Sequence, residues 1–88
     1  PQAEPAPAAV RKLSILLCED DALIAMATVD MLEDLGHSVI ETGLARDALA
    51  MLDKAQVDIL LTDVGLPDMP GTALVAKAER LGFARLRP

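Results

Sequence analysis

The sequence predicts an α/β fold in which a parallel sheet carries helices on both faces, in the order β-α-β-α-β-α. Three observations carry this. Leu13 to Cys18 and Val57 to Thr62 are short, mostly apolar runs that each end in an acid, the pattern of strands buried on both faces. Between them, and again after Gly71, apolar residues recur at helical spacing. Gly36, Gly43, Gly71 and Gly82 fall at the joins, where a chain changes direction.

Residues 1–12 are rich in proline and alanine and are expected to form an extended leader, so that the folded domain spans residues 13–88. The first strand, Leu13 to Cys18, is broken by Glu19-Asp20-Asp21. From Leu23 the stripe Ile24, Ala27, Thr28, Met31 and Leu35, widened by Leu32, predicts an amphipathic helix. Asp20 or Asp21 suits its N-cap and Gly36 its C′ stop. His37 to Thr42 is shorter and more polar, better suited to a sheet edge, with His37 at the surface. Gly43 turns the chain into a second helix that turns Ala45, Ala48, Leu49 and Leu52 inward. Its Arg46, Asp47, Asp53 and Lys54 are expected in solvent. Gln56 leads into the third strand. After Gly71 a third helix presents Leu74, Val75, Ala78 and Leu81 on one face and ends at Gly82. Met26, Met31 and Met51 are expected as core filler. Phe83 to Pro88 does not read as another strand.

Composition narrows the class. The chain has 88 residues and a hydrophobic content of 52%, one small domain that is too apolar for a disordered tail. A net charge of −6 and a single aromatic, Phe83, argue against phosphate-neutralising or base-stacking surfaces, and so against nucleic acid as a partner. The lone cysteine, Cys18, excludes an intrachain disulfide, fits a reducing compartment and reads as a buried structural thiol. No apolar run reaches the length of a membrane span, and no signal-peptide pattern opens the chain. A cytoplasmic protein is expected.

The chemistry gathers at two strand ends. If the first and third strands are neighbours, Glu19, Asp20 and Asp63 share one crevice at the carboxyl edge of the sheet, where α/β proteins bind ligands. Carboxylates so close repel unless a cation or protons intervene. An all-oxygen set with room for water suits Mg²⁺. A carboxylate beside such an ion is also a competent nucleophile toward phosphorus. Simpler roles compete: Asp63 as a turn residue, Asp21 as a helix cap, Glu19 and Asp68 as solvated acids.

Ile15-Leu16-Leu17-Cys18-Glu19-Asp20-Asp21 and Leu60-Leu61-Thr62-Asp63-Val64-Gly65-Leu66-Pro67-Asp68-Met69-Pro70-Gly71 resemble the two signature blocks of response-regulator receiver domains. The resemblance runs roughly from Leu13 to Leu81. It implies a flavodoxin-like (CheY-like) doubly wound sheet with strand order 2-1-3 for the elements present. It implies that Asp63 accepts a phosphoryl group from a sensor histidine kinase or phosphotransfer protein. Asp20 would bind Mg²⁺ directly, Glu19 through water, and the backbone carbonyl of Gly65 would complete the site with Asp63. Such a module is a signalling acceptor rather than an enzyme, at most promoting its own phosphorylation and dephosphorylation. The family also carries a Ser or Thr after a fourth strand and a Lys after a fifth. No Ser or Thr follows Thr72 here and no Lys follows Lys77, so the expected domain is cut short after the third helix.

Two other readings bear on the same residues. A Mg²⁺-dependent phosphohydrolase of the haloacid-dehalogenase type would also use Asp63 as nucleophile, but it wants a second acid two residues on, where this chain has Gly65. A phosphorylation-incompetent module used for association is the third. A third strand with a free edge is a template for another chain, so self-association through that edge is expected.

Overall fold

The structure is a computed structural model that describes residues 11–54 and 56–82. Six elements follow in the expected order: β1 (Ser14–Cys18), α1 (Ala22–Asp34), β2 (Ser38–Thr42), α2 (Ala45–Lys54), β3 (Ile59–Thr62) and α3 (Gly71–Arg80). The first ten residues of the expected leader, and the stretch Phe83 to Pro88, lie outside the described residues. Arg11 and Lys12 are neither helix nor strand.

The three strands form one parallel sheet in the order β2-β1-β3. Ser14 to Cys18 pair with Ser38 to Thr42, and Ile15 to Cys18 pair with Ile59 to Thr62. Cys18 therefore faces Thr42 on one side and Thr62 on the other, so all three strands end in one row. The ladder runs one step further at that edge, where Glu19 N–H donates to Thr42 O (2.9 Å) and Asp63 N–H to Cys18 O (3.0 Å). At the opposite edge the sheet is pinned by side chains. Asp58 Oδ2 accepts Ser14 N–H at 2.8 Å while Asp58 N–H donates to Ser14 O at 2.8 Å. His37 Nδ1 accepts Leu13 N–H at 3.1 Å just before β2 begins.

Side chains alternate along β1, and the two faces are built differently. Leu16 and Cys18 are wholly buried against Ala45, Ala48 and Leu52 of α2, Leu74 and Ala78 of α3, and Leu66 of the intervening loop. The small side chains of Ala45, Ala48 and Ala78 let the two helices approach each other and the sheet. Ile15 and Leu17 face the other way, where α1 lies over β1 and β2 and buries Ala25.

Local signals end the helices as read. Asp21 is the N-cap of α1, its Oδ1 accepting the N–H groups of Leu23 (2.9 Å) and Ile24 (3.2 Å). Gly36 has a positive φ of 95°, and the bonds from Gly36 N–H to Glu33 O and His37 N–H to Leu32 O make a Schellman close. Gly82 ends α3 in the same backbone region.

Four expectations are corrected. Much of the stripe read as the core face of α1 is open: Ile24, Met31 and Leu35 are 52%, 56% and 62% exposed and Ala27 is in solvent, as are Leu23 and Met26, while Thr28 and Leu32 of that stripe are half-buried as expected. The covered face is shifted round the helix, joining Ala25 and Val29 to Thr28 and Leu32 at the same helical spacing. The helix is apolar over more than half its circumference, so periodicity cannot tell which part meets the sheet. Met51 alone of the three methionines packs on the core. The third strand begins at Ile59 rather than Val57, and it is not buried on both faces: Leu61 is 41% exposed, because α1 covers the other two strands. Leu81 is exposed beyond the end of α3.

Burial on this scale sets the cost of truncation. Leu16→Ala, in the fully buried central strand, is expected to destabilise by about 2–5 kcal/mol. Met31→Ala is expected to change stability by no more than about 0.5 kcal/mol, as exposed positions do. Urea unfolding followed by circular dichroism measures both; equal losses would return Met31 to the core.

Candidate functional site

The row of strand ends brings the sequence-predicted acids together. Glu19 follows β1 and Asp63 follows β3, and one carboxylate oxygen from each of Glu19, Asp20 and Asp63 lies within 4.8 Å of the others. Asp20 is exposed, while Glu19 and Asp63 are half-buried. Each half-buried carboxylate is held by a backbone donor: Glu19 Oε2 accepts Asp21 N–H at 3.1 Å, and Asp63 Oδ1 accepts Val64 N–H at 2.8 Å. Each carboxylate keeps another oxygen for a ligand. A pair of unit charges at this spacing repels by about 1 kcal/mol in water and on the order of 4 kcal/mol near a protein surface. The donor set is all oxygen, anionic and partly solvated, which fits a hard divalent cation such as Mg²⁺.

Behind the acids, the loop from Val64 to Pro70 closes on itself. Gly71 N–H donates to Val64 O at 2.7 Å, and Gly65 and Pro70 form an isolated antiparallel bridge. Glycine is required at 71, because a Cβ there would overlap the carbonyl oxygen of Asp63. Thr62 Oγ1 donates to that same carbonyl at 2.9 Å. Gly65, expected to offer its carbonyl, is exposed at the start of this closed loop. An open depression of about 320 Å³ at Asp63 is lined by Thr62, Asp63, Val64, Gly71, Thr72 and Val75.

Asp68 is the residue whose role sequence reasoning missed. Rather than a merely solvated acid, it reaches α2: Oδ1 accepts Ala45 N–H and Oδ2 accepts Arg46 N–H, both at 2.9 Å. The backbone bonds from Arg46 and Ala45 hold its carboxyl below the usual range. Its partner lies 23 positions away, so no local motif announces the bond. The one hint was an uncapped helix start, since Leu44 at the N-cap position offers no acceptor. Cys18 behaves as expected: burial pushes its thiol up, against a lowering bond from Thr62.

A family model described as "Response regulator receiver domain" matches residues 15–83. The chain belongs to that family. Over 74 residues, 81% of its length, it is 40% identical to "Probable histidine kinase 1" of Oryza sativa subsp. indica, of which it spans 8%. It is 37% identical over 65 residues, 74% of the chain, to "Virulence transcriptional regulatory protein PhoP" of Salmonella choleraesuis, spanning 29% of that protein. A CheY-like receiver from Methanospirillum hungatei superposes with a TM-score of 0.77 at 32% identity, covering 86% of this chain and 69% of that one. Another, from Methylobacillus flagellatus, gives 0.78 at 28% identity, covering 86% and 64%. The chain thus spans a small part of the curated relatives and about two thirds of the solved receivers. The receiver fold here is the flavodoxin-like arrangement with strand order 2-1-3, in which the clustered acids follow the adjacent strands β1 and β3.

Two outcomes follow from this geometry. Gly71→Ala is expected to destabilise the receiver by about 1–3 kcal/mol or more, because backbone rather than a flexible side chain must move; thermal unfolding measures it. Asp68 has a lowered folded pKa, so its stabilising contribution is present above the unfolded carboxylate pKa and is lost as pH falls through the folded value. Between neutral pH and about pH 3, the wild type is therefore expected to lose more stability than Asp68→Asn. Parallel losses in the two proteins would remove Asp68 from the acid transition.

Proposed function

We propose that this receiver module accepts a phosphoryl group on Asp63 in a two-component phosphorelay, with Mg²⁺ held by Glu19, Asp20, Asp63 and the carbonyl of Gly65. The observation that carries the reading is the convergence of three carboxylates at the ends of adjacent strands. The donor is a phosphohistidine of a sensor histidine kinase or phosphotransfer protein; receiver-family relatives carry the histidine kinase name. A carboxylate oxygen of Asp63 forms the bond to phosphorus as the N–P bond breaks, and the imidazole nitrogen leaves with the electron pair. The ion supplies neutralisation of negative charge on the transferring group.

The chain's own residues do the positioning. Val64 N–H holds Asp63 Oδ1 and leaves Oδ2 as the attacking oxygen. Asp21 N–H orients Glu19 toward the crevice. Closure of the loop by Gly71 keeps the backbone after Asp63 against the site. The module is an acceptor, with any self-phosphorylation or self-dephosphorylation confined to Asp63. Among the described residues no helix is long and apolar enough to cross a membrane, and the lone buried cysteine supports a reducing, cytoplasmic setting.

As an isolated 88-residue chain, the protein self-associates through the outer edge of β3. Support comes from the exposed Leu61 on that strand and from the open apolar stripe of α1. Light scattering coupled to size exclusion is expected to give a mass above that of one chain; a monomer at micromolar concentration refutes association.

The phosphoacceptor reading is tested with Mg²⁺ and a small phosphodonor, followed by intact-mass measurement. A base-labile phosphoryl adduct is expected in the wild type and is absent from Asp63→Asn. Steady hydrolysis of phosphate esters without an adduct would favour the hydrolase instead. A folded protein that binds Mg²⁺ yet forms no adduct would leave an association module.

A further inference from the structure

We infer that Asp68 is a positioning residue for the acceptor site, clamping the loop that follows Asp63 onto the start of α2. The inference rests on the reading of Asp63 as acceptor but concerns a residue outside the acidic cluster. Asp68 adds a polar tie between two segments whose other meeting is apolar, where Leu66 of its own loop joins Ala45 and Ala48 in the core cluster. Its own segment, Val64 to Pro70, is tied to Asp63 at one end and to Gly71 at the other by the 2.7 Å bond across its neck. The segment it grips begins at Gly43, directly after β2, and Gly43 lies against the backbone of Glu19 and Asp20. The carboxylate thus joins the corner that backs two of the acids to the loop that carries the third.

The geometry goes beyond an ordinary helix cap. A local cap bonds the N2 or N3 donor of its own helix. Asp68 instead takes the first two donors of α2, Ala45 and Arg46, one on each oxygen. The local cap position, Leu44, has its carbonyl accepting Ala48 N–H, and its own N–H donates to Thr42 Oγ1. An anion at the positive end of α2 is favourable for the helix, but a residue beside the helix would supply that as well. What a distant carboxylate adds, beyond the strand register and the packing of Leu66, is a directional hold between the two loops, and with it a narrower spread in the spacing of Asp63 and Gly65 from Glu19 and Asp20.

The two roles separate when the helix is given a cap of its own. Asp68→Ala removes the clamp and the cap together. Leu44→Ser added to it returns a local cap without the clamp, and Leu44→Ser alone reports the cost of that change. Thermal unfolding, amide exchange at Val64 and Gly71, and calorimetric titration with Mg²⁺ alone are compared across the four proteins. Asp68→Ala is expected to lower the melting temperature, speed exchange at Gly71 by tenfold or more, and weaken Mg²⁺ binding about fivefold. The double variant is expected to recover melting temperature but neither exchange protection nor Mg²⁺ affinity. Recovery of all three with Leu44→Ser would reduce Asp68 to a helix cap and overturn the inference. If the wild type binds no Mg²⁺, the metal reading fails by itself, and exchange at Val64 and Gly71 still decides the clamp: unchanged rates in Asp68→Ala overturn it.

Discussion

The parallel register of β1 between β2 and β3 is the constraint on which the rest depends. With Cys18 opposite both Thr42 and Thr62, the residues that leave the sheet next are Glu19, Gly43 and Asp63, at one level. A slip of one residue would exchange the faces of a strand, turning Leu16 and Cys18 away from α2 and α3. It would also withdraw the acids from one another. The hydrophobic pattern that selects the register therefore selects the chemistry too: burying Leu16 against Leu74 and Ala48 is what sets Glu19 beside Asp63.

A site made of three like charges is a local liability that the surroundings limit. Solvent around Asp20, and backbone donors to Glu19 and Asp63, reduce the repulsion without neutralising it. What remains is a concentration of negative charge, and it is produced by backbone elements that are otherwise well satisfied. The loop after Asp63 shows the same division of labour. Gly71 has no side chain, so Asp63's carbonyl can sit against α3's first turn, and the helix start at Pro70 needs no side-chain cap. Among the described residues, the carboxylate of Asp63 is thereby left with no structural bond but the one from Val64 N–H.

Most of this was legible from the residues. The order of elements, the edge position of β2, the stop at Gly36 and the cap at Asp21 are all local signals, carried by a few neighbouring residues. The acids were legible because each follows an apolar run, and parallel neighbours end together. What could not be read is what depends on three-dimensional partners. Two overlapping stripes on α1 share the same spacing, and only packing chooses Ala25 and Val29 over Ile24 and Met31. Leu61 looks as apolar as Leu60, yet only Leu60 packs on the core cluster, because α2 and α3 cover one face of the sheet more fully than α1 covers the other. Asp68 bonds a helix 23 residues back, a distance no turn or capping pattern encodes.

These differences have a common origin in how the two faces are built. On the α2–α3 side, Leu16, Cys18, Ala45, Ala48, Leu66, Leu74 and Ala78 form one closed cluster beneath the loops of the site. On the α1 side, Ile15 and Leu17 are covered while Leu61 and the outer stripe of α1 stay in contact with water. The acidic crevice stands over the closed side in every respect that matters: Asp68 reaches α2, Gly71 begins α3, and Leu66 is buried between them. The site's geometry is therefore underwritten by packing that the described residues already contain. Whatever covers the open side bears on the stability of the sheet and on the exposure of β3, while the approach of Glu19, Asp20 and Asp63 is set by the strand ends and by the loops on the closed side. The geometry of the acidic crevice and completion of the apolar face are separable properties of this receiver.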